Sequence, residues 1–395
     1  DWTSDSINAA KAKIQQALTW WEDTLAAKSS IHSVRFHLDL QYADNPVPTD
    51  LEPIAHISND YSDWVDDFLD YAGANTSADT NTDIRLLNHQ QRIAIDADWG
   101  FTIFVVNDEN DADGMFASGG SFRRAFAFAG GRYFIVPAGR PVLSSAHEIG
   151  HMFWARDEYA GGGSTSDRRG YYNTQNLNAA ADPQLESIMT SGSLMQSAFD
   201  NHTSSPSSLE MIGWKDSDQD GIFDVLDVPL LLTGSGYPDP ATGSYRFQGT
   251  SRVQALANRN PSGLQSDITL NRVDLVEYRI DTGDWQTAAT PGEAVVSIDV
   301  SFSLPSGDHQ VEIRTRSIDP GTGQTLATSN ILVANSLVRG VTQQVGIAGY
   351  VFADGDENGG WDGGEVGTAG RTVQIVDASG QPRELWAVAD PDDFN

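Results

Sequence analysis

The chain has 395 residues, with 24 Lys and Arg against 55 Asp and Glu and a formal charge of −31. That length allows roughly two to four domains with cores of their own, and the charge excludes nucleic acid and anionic membrane as natural partners. Cysteine is absent, which excludes disulfides, thiolate nucleophiles and Cys-ligated metals and leaves packing and hard cations to reinforce small domains.

The first element reads as a helix, because Ile7, Ala10, Ile14, Leu18, Trp21 and Leu25 recur at three- and four-residue steps. A strand is expected next, where Val34, Phe36, Leu38, Leu40 and Tyr42 alternate with polar residues. Ile57, Tyr61, Trp64, Phe68 and Tyr71 share a helical face, with Ser58 or Asn59 as cap, and residues 73–83 read as a loop. The apolar run 101–106 predicts a buried strand; 125–129 and 133–136 predict a hairpin about Gly130-Gly131. Together these describe an α/β or α+β layer.

After Trp214 helical periodicity fades, and runs such as 273–280, 294–302 and 310–316 between Gly, Pro, Asn and Asp predict an all-β sandwich. Strands are still accumulating at Asn395, so the last domain is expected to be cut short and the natural chain longer. No apolar run approaches the ~20 residues that span a bilayer, and Asp1 opens the chain without a basic and then apolar leader. No membrane insertion is expected, and the material reads as soluble and mature or trimmed.

The chemistry concentrates in residues 145–159, SAHEIGHMFWARDEY. His147 and His151 are four apart, which on a helix places both imidazoles on one face within reach of one Zn²⁺. Glu148 is then placed as general base for a water that the metal acidifies. A chance His-Glu-x-x-His arises in roughly one chain in a hundred of this composition, so the motif carries weight. Pro141 and Ser144 suit the entrance and cap of this helix. A catalytic zinc needs a third protein ligand; Asp157, six residues beyond His151, supplies one if the chain turns sharply, and Glu158 is the fallback.

The segment resembles the metzincin clan of zinc endopeptidases, whose long signature ends in a third ligand after HExxHxxG. The resemblance implies His147, His151 and Asp157 as zinc ligands and Glu148 as base. Ser187-Ile188-Met189-Thr190 resembles the clan's Met-turn, with Met189 beneath the metal, and Asp157-Glu158-Tyr159 is similar to the IgA-cleaving metallopeptidase family. Trp154 stands where the clan has its turn-forming glycine, and Ser191 where some members have a tyrosine; Tyr159, Tyr171 and Tyr172 are the substitutes weighed. The clan binds extended peptide beside a sheet edge, which gives the hairpin near Tyr133 a role. A gluzincin-like reading instead takes the third ligand from Glu186.

Asp216, Asp218, Asp220, Asp224 and Asp227 occupy positions 1, 3, 5, 9 and 12 of a twelve-residue loop around Gly221, with the Ile222 carbonyl at position 7. That pattern suits Ca²⁺ and resembles a thrombospondin type 3 or dockerin-like loop. Asp354, Asp356, Asn358, Gly360, Asp362 and Glu365 repeat it, and residues 349–380 resemble the start of an SdrD B-like calcium-binding repeat. Glu109, Asp111 and Asp113 before Gly114 lack the later ligands and make a weaker loop. The intervening modules resemble bacterial Ig-like or fibronectin-like domains, with Trp285 packed in the sandwich and His309 structural.

These readings predict a catalytic domain over 1–214, a calcium loop over 215–232, an Ig-like β-sandwich over 233–340 and a partial SdrD B-like β domain over 341–395. The implied function is a secreted or cell-surface bacterial zinc metalloendopeptidase, with Zn²⁺ and Ca²⁺ as cofactors and an extracellular protein or glycoprotein as substrate. The alternative is an adhesin or glycan-binding protein whose zinc domain is degenerate or structural.

Overall fold

The computed structural model describes residues 2–77, 79–239, 242–267, 270–305 and 307–338, together with the antiparallel pair Ile375–Val376 and Pro382–Arg383. The expected calcium loop at 354–365 lies outside the described residues. Asp1–Val338 form one unit and Arg339–Asn395 a second. The architecture is mixed α/β with several β-sheets.

Helix α1 (Ser4–Lys28) starts at a capping box in which the Thr3 hydroxyl accepts from the Ser6 amide and the Ser6 hydroxyl accepts from the Thr3 amide. Its buried stripe is Ala10, Ile14, Ala17, Leu18, Trp20, Trp21 and Leu25. The strand expected near residue 34 does not form. Val34, Phe36, Leu38 and Leu40 keep the alternating burial, but no ladder pairs them, and the Phe36 amide donates to the Glu22 carboxylate at 2.9 Å. Alternation sets which side chains face inward; it supplies no backbone partner.

Helix α2 (Tyr61–Ala72) buries Trp64, Val65, Phe68 and Leu69 and ends at Gly73, whose φ of +66° suits a glycine. Ser58 and Asn59 do not cap it; they accept from the amides of Phe122 and Ser121 and tie down that loop. Helix α3 (Thr80–Ala94) occupies part of the expected loop, capped by Asp79.

Strands β1 (Thr102–Val106), β2 (Phe126–Phe128) and β3 (Tyr133–Pro137) form one sheet with β3 central, parallel to β1 and antiparallel to β2. All five β3 residues are buried because both faces are covered. Phe134 and Val136 join α1 in one core, while Tyr133 and Ile135 join Trp64, Phe68, Ile84 and Leu87 of α2 and α3 in another. The period of two thus splits a single strand between two helical layers.

The short strands β4 (Arg168–Arg169) and β5 (Thr174–Gln175) pair antiparallel. Farther along, β6 (Leu230–Asp239), β7 (Ser244–Val253) and, after β8 (Leu275–Ile280) and β9 (Gln286–Ala289), β10 (Val295–Ser303) make one antiparallel sheet in the order β10-β7-β6. Strand β11 (Gly307–Ile318) pairs with β8, β12 (Thr325–Thr328) and β13 (Leu332–Val338) in the other. Leu230, Leu232, Tyr245, Phe247 and Ile298 of the first sheet share a core with Val276, Val311 and Ile313 of the second. Trp285 is not in that core. It is half-buried, with the guanidinium of Arg314 at 3.9 Å and that of Arg279 at 4.8 Å over its ring. His309 pairs with Asp281 at 2.8 Å.

Candidate metal centre

Helix α4 (Val142–Met152) carries both histidines, and Ala146, Ile149 and Met152 pack it into the core beside α1. Pro141 occupies the cap position, and the Ser144 amide donates to the Pro141 carbonyl at 2.9 Å, so Ser144 lies in the first turn and does not cap. The Trp21 indole N–H donates to the Ala146 carbonyl at 2.9 Å and fixes α4 against α1.

The helix ends where the chain reverses. Trp154 has φ +80°, the left-handed conformation usually reserved for glycine, and the Ala155 amide reaches back to the Gly150 carbonyl at 3.0 Å. A tryptophan therefore makes the turn expected of the missing glycine. The Gly130 and Gly131 amides donate to the carbonyls of His151 and Met152, at 3.1 and 2.8 Å. That hairpin turn thus satisfies acceptors left free at the end of α4.

The reversal brings Asp157 back to the histidines. Its Oδ1 lies 3.0 Å from His147 Nε2 and 3.3 Å from His151 Nε2, and the three donor atoms lie within 4.8 Å of one another. The rings stand nearly perpendicular, 87° apart. His147 Nδ1 donates to the Ile188 carbonyl and His151 Nδ1 to the Ala155 carbonyl, each at 2.8 Å. With the Nδ1 hydrogens committed to those carbonyls, both rings turn Nε2 toward the Asp157 carboxylate. Two imidazoles and a carboxylate converging on one point suit a borderline-soft cation such as Zn²⁺. Without one, burial opposes charge on His151, but Asp157 and the Ala155 carbonyl outweigh it and raise its pKa. Burial likewise opposes the Asp157 charge, yet His151 and His147 hold that carboxyl well below the usual range.

Glu148 is buried beside this group, and no hydrogen-bond donor among the described residues reaches its carboxylate. Burial pushes its pKa up to about 7; His147 opposes the rise and Asp157 adds to it. The Tyr159 ring lies 6.2 Å from that of His147, and burial with the nearby Asp157 and Glu148 charges pushes its phenol up to about 12.

Met189 is fully buried, and a Cβ added at Gly150 would lie 2.6 Å from its sulfur. The same turn provides the Ile188 carbonyl that orients His147, and the Met189 carbonyl accepts from the Glu158 amide at 2.8 Å. Glu158 is not brought to the histidines. Its carboxylate is buried in a cradle of Ser205, Ser207, Ser208 and Asn178, with Ser208 Oγ at 2.7 Å and Asn178 Nδ2 at 2.8 Å. Glu186 is exposed and accepts from Ser197 and Asn201, so it too stands outside the group. Ser191 precedes α5 (Gly192–Asp200), and Tyr171 is buried with Leu25, Phe223 and Val225. Replacing Glu158 by Ala leaves several buried donors unpaired and is expected to destabilise the fold by about 3 kcal/mol or more. A thermal melt within a degree of wild type would contradict that role.

In the acidic loop the structure gathers Asp216, Asp218 and Asp220. Asp224 closes the loop by accepting from the Ser217 amide and hydroxyl at 2.7 and 2.6 Å. Burial raises the pKa of Asp227, and Asp220, Asp218, Asp224 and Asp216 add to the rise. Gly221 has φ +93°, and the Phe223 amide donates to His32 Nε2 at 2.8 Å, docking the loop behind α1. The loop at 109–114 is closed on itself: Asp111 Oδ1 accepts from the amides of Asp113 and Gly114, and Asp113 pairs with Arg123.

Compared with known proteins, the chain matches no family model and no curated protein. The two carbonyls that orient the histidines and the Gly130-Gly131 cap of α4 are parts of the centre that residue types do not announce. The Gly-Gly pair was the available signal, and in the sequence it reads only as a hairpin turn.

Proposed function

We propose that the chain is a zinc-dependent endopeptidase of metzincin type. The observation that carries this reading is the convergence of His147 Nε2, His151 Nε2 and Asp157 Oδ1 beside the buried Glu148 carboxylate. His147, His151 and Asp157 hold the ion, which when bound polarises a peptide carbonyl and acidifies water. Glu148 takes the proton of the attacking water and later delivers it to the leaving amine. A structural zinc site has no need of such a base.

The substrate is an extended segment of an extracellular protein or glycoprotein, laid along β2 at the sheet edge. The module read over 233–340 acts as an Ig-like domain, and Asp216, Asp218 and Asp220 hold Ca²⁺. Among the described residues no helix is long and apolar enough to cross a membrane.

The test is to strip the chain with a chelator and restore single metals against a random peptide library. Cleavage is expected to stop on chelation and to return with zinc but not with calcium, while calcium alone raises the melting temperature. Cleavage that persists in chelator, or that no zinc concentration supports, would overturn the peptidase reading. A melting temperature indifferent to calcium would overturn the calcium reading.

A further inference from the structure

Trp154 sits in a slot made by two glycines from different parts of the chain. A Cβ added at Gly130, in the β2–β3 turn, would lie 2.1 Å from the indole. One added at Gly263, in the segment between β7 and β8, would lie 2.7 Å from it. That segment is laid against the α4 half of the unit elsewhere too. The Arg259 amide donates to the Tyr171 carbonyl at 2.8 Å, and Arg272 pairs with Asp96 at 3.1 Å.

The indole's seat matters because of the backbone it belongs to. A residue with a Cβ resists φ +80°, and release toward ordinary values unwinds the turn after α4. That turn sets two features of the centre. It delivers the Ala155 carbonyl to His151 Nδ1, and it carries the chain back so that Asp157 Oδ1 meets both Nε2 atoms.

We infer that the Gly263 segment is a working part of the metal centre: by clamping the Trp154 indole against Gly130, it holds the strained turn that presents Asp157 to His147 and His151. Trp154 is thus a positioning residue, and the β-sheet module is coupled to metal affinity without supplying a ligand. The inference rests on the zinc reading and extends it to a residue outside residues 1–214.

The experiment measures zinc affinity of the full chain by competition with a chromophoric chelator, with metal-free thermal melts to verify folding. Gly263→Ala is expected to weaken zinc by about tenfold or more, since its Cβ displaces the indole and frees the strained turn. Gly292→Ala is the control: it also has positive φ, +71°, but nothing lies within 4 Å of an added Cβ. It is expected to bind as wild type. Trp154→Gly is expected to bind zinc several-fold more tightly than Trp154→Ala, because only glycine adopts the turn without a clamp. In the Trp154→Gly background the loss caused by Gly263→Ala should disappear.

Wild-type affinity in folded Gly263→Ala, or a loss that persists in the Trp154→Gly background, would overturn the coupling. Equal affinities for Trp154→Gly and Trp154→Ala would do the same, even if Gly263→Ala fails to fold. A wild-type chain that binds no zinc would instead overturn the metal reading beneath it.

Discussion

Glu148→Gln is expected to lower peptide hydrolysis by about 10³-fold or more while zinc stays bound. The substitution keeps side-chain size and one oxygen but removes the basic site. Glu148 lies next to His147 in sequence and is buried, with no hydrogen-bond donor among the described residues committed to its carboxylate. Its base strength is therefore not diverted to a structural contact. Burial raises its pKa to about 7 in the metal-free chain, opposed by His147 and reinforced by Asp157. A divalent cation close by favours the carboxylate and moves that value down. Because the base works only when deprotonated, kcat/KM should fall as pH drops through an acid limb below 7. In a zinc-loaded Glu148→Gln protein, near-wild-type turnover would remove Glu148 from the mechanism.

Asp157→Ala is expected to weaken zinc binding by about 10²-fold or more and to abolish cleavage with it. Its Oδ1 is shared between the two Nε2 atoms at 3.0 and 3.3 Å, so its removal deletes the only charge in the ligand set. Neither of the other two carboxylates weighed as third ligand is placed to take over. Glu158 is held by three serines and Asn178, and Glu186 is exposed and bonded to Ser197 and Asn201. Equilibrium dialysis with zinc reads the effect directly. Tight zinc in Asp157→Ala would mean that the third ligand lies elsewhere.

The elements that were legible in sequence are those whose apolar residues repeat strongly. Helix α1, the β2–β3 hairpin and strands β8, β10 and β11 follow their hydrophobic periods closely. Helix α3 was not legible because half of its buried face is polar. Asp83 accepts from Thr76 and Ser77, and Asn88 spans to the Arg132 carbonyl and the Thr102 hydroxyl, leaving Ile84 and Leu87 as the apolar signal. The extended segment after α1 failed in the opposite sense: its burial alternates, but no ladder pairs it, and the Phe36 amide goes to the Glu22 carboxylate.

The centre divides in the same way. The helix spacing of His147 and His151 is written in the residues, whereas the sequence left Asp157 and Glu158 as alternatives that only the fold separates. The means of holding the ligands are not written there, because backbone carbonyls and bond angles have no residue type. Trp154 is the clearest instance: its identity argues against a sharp turn, yet the turn is there, with the indole seated on two glycines 133 positions apart in sequence. Trp285 misled for a related reason, since an aromatic residue in a strand-rich region packs as well under two guanidinium groups as in a core.

The most direct measurement is the metal content of the full chain, by inductively coupled plasma mass spectrometry after loading with zinc and dialysis against metal-free buffer. One zinc per wild-type chain, lost when His147 and His151 are both replaced by Ala, is the expected result. No zinc in wild type, or zinc fully retained without the two histidines, would contradict the centre formed by His147, His151 and Asp157.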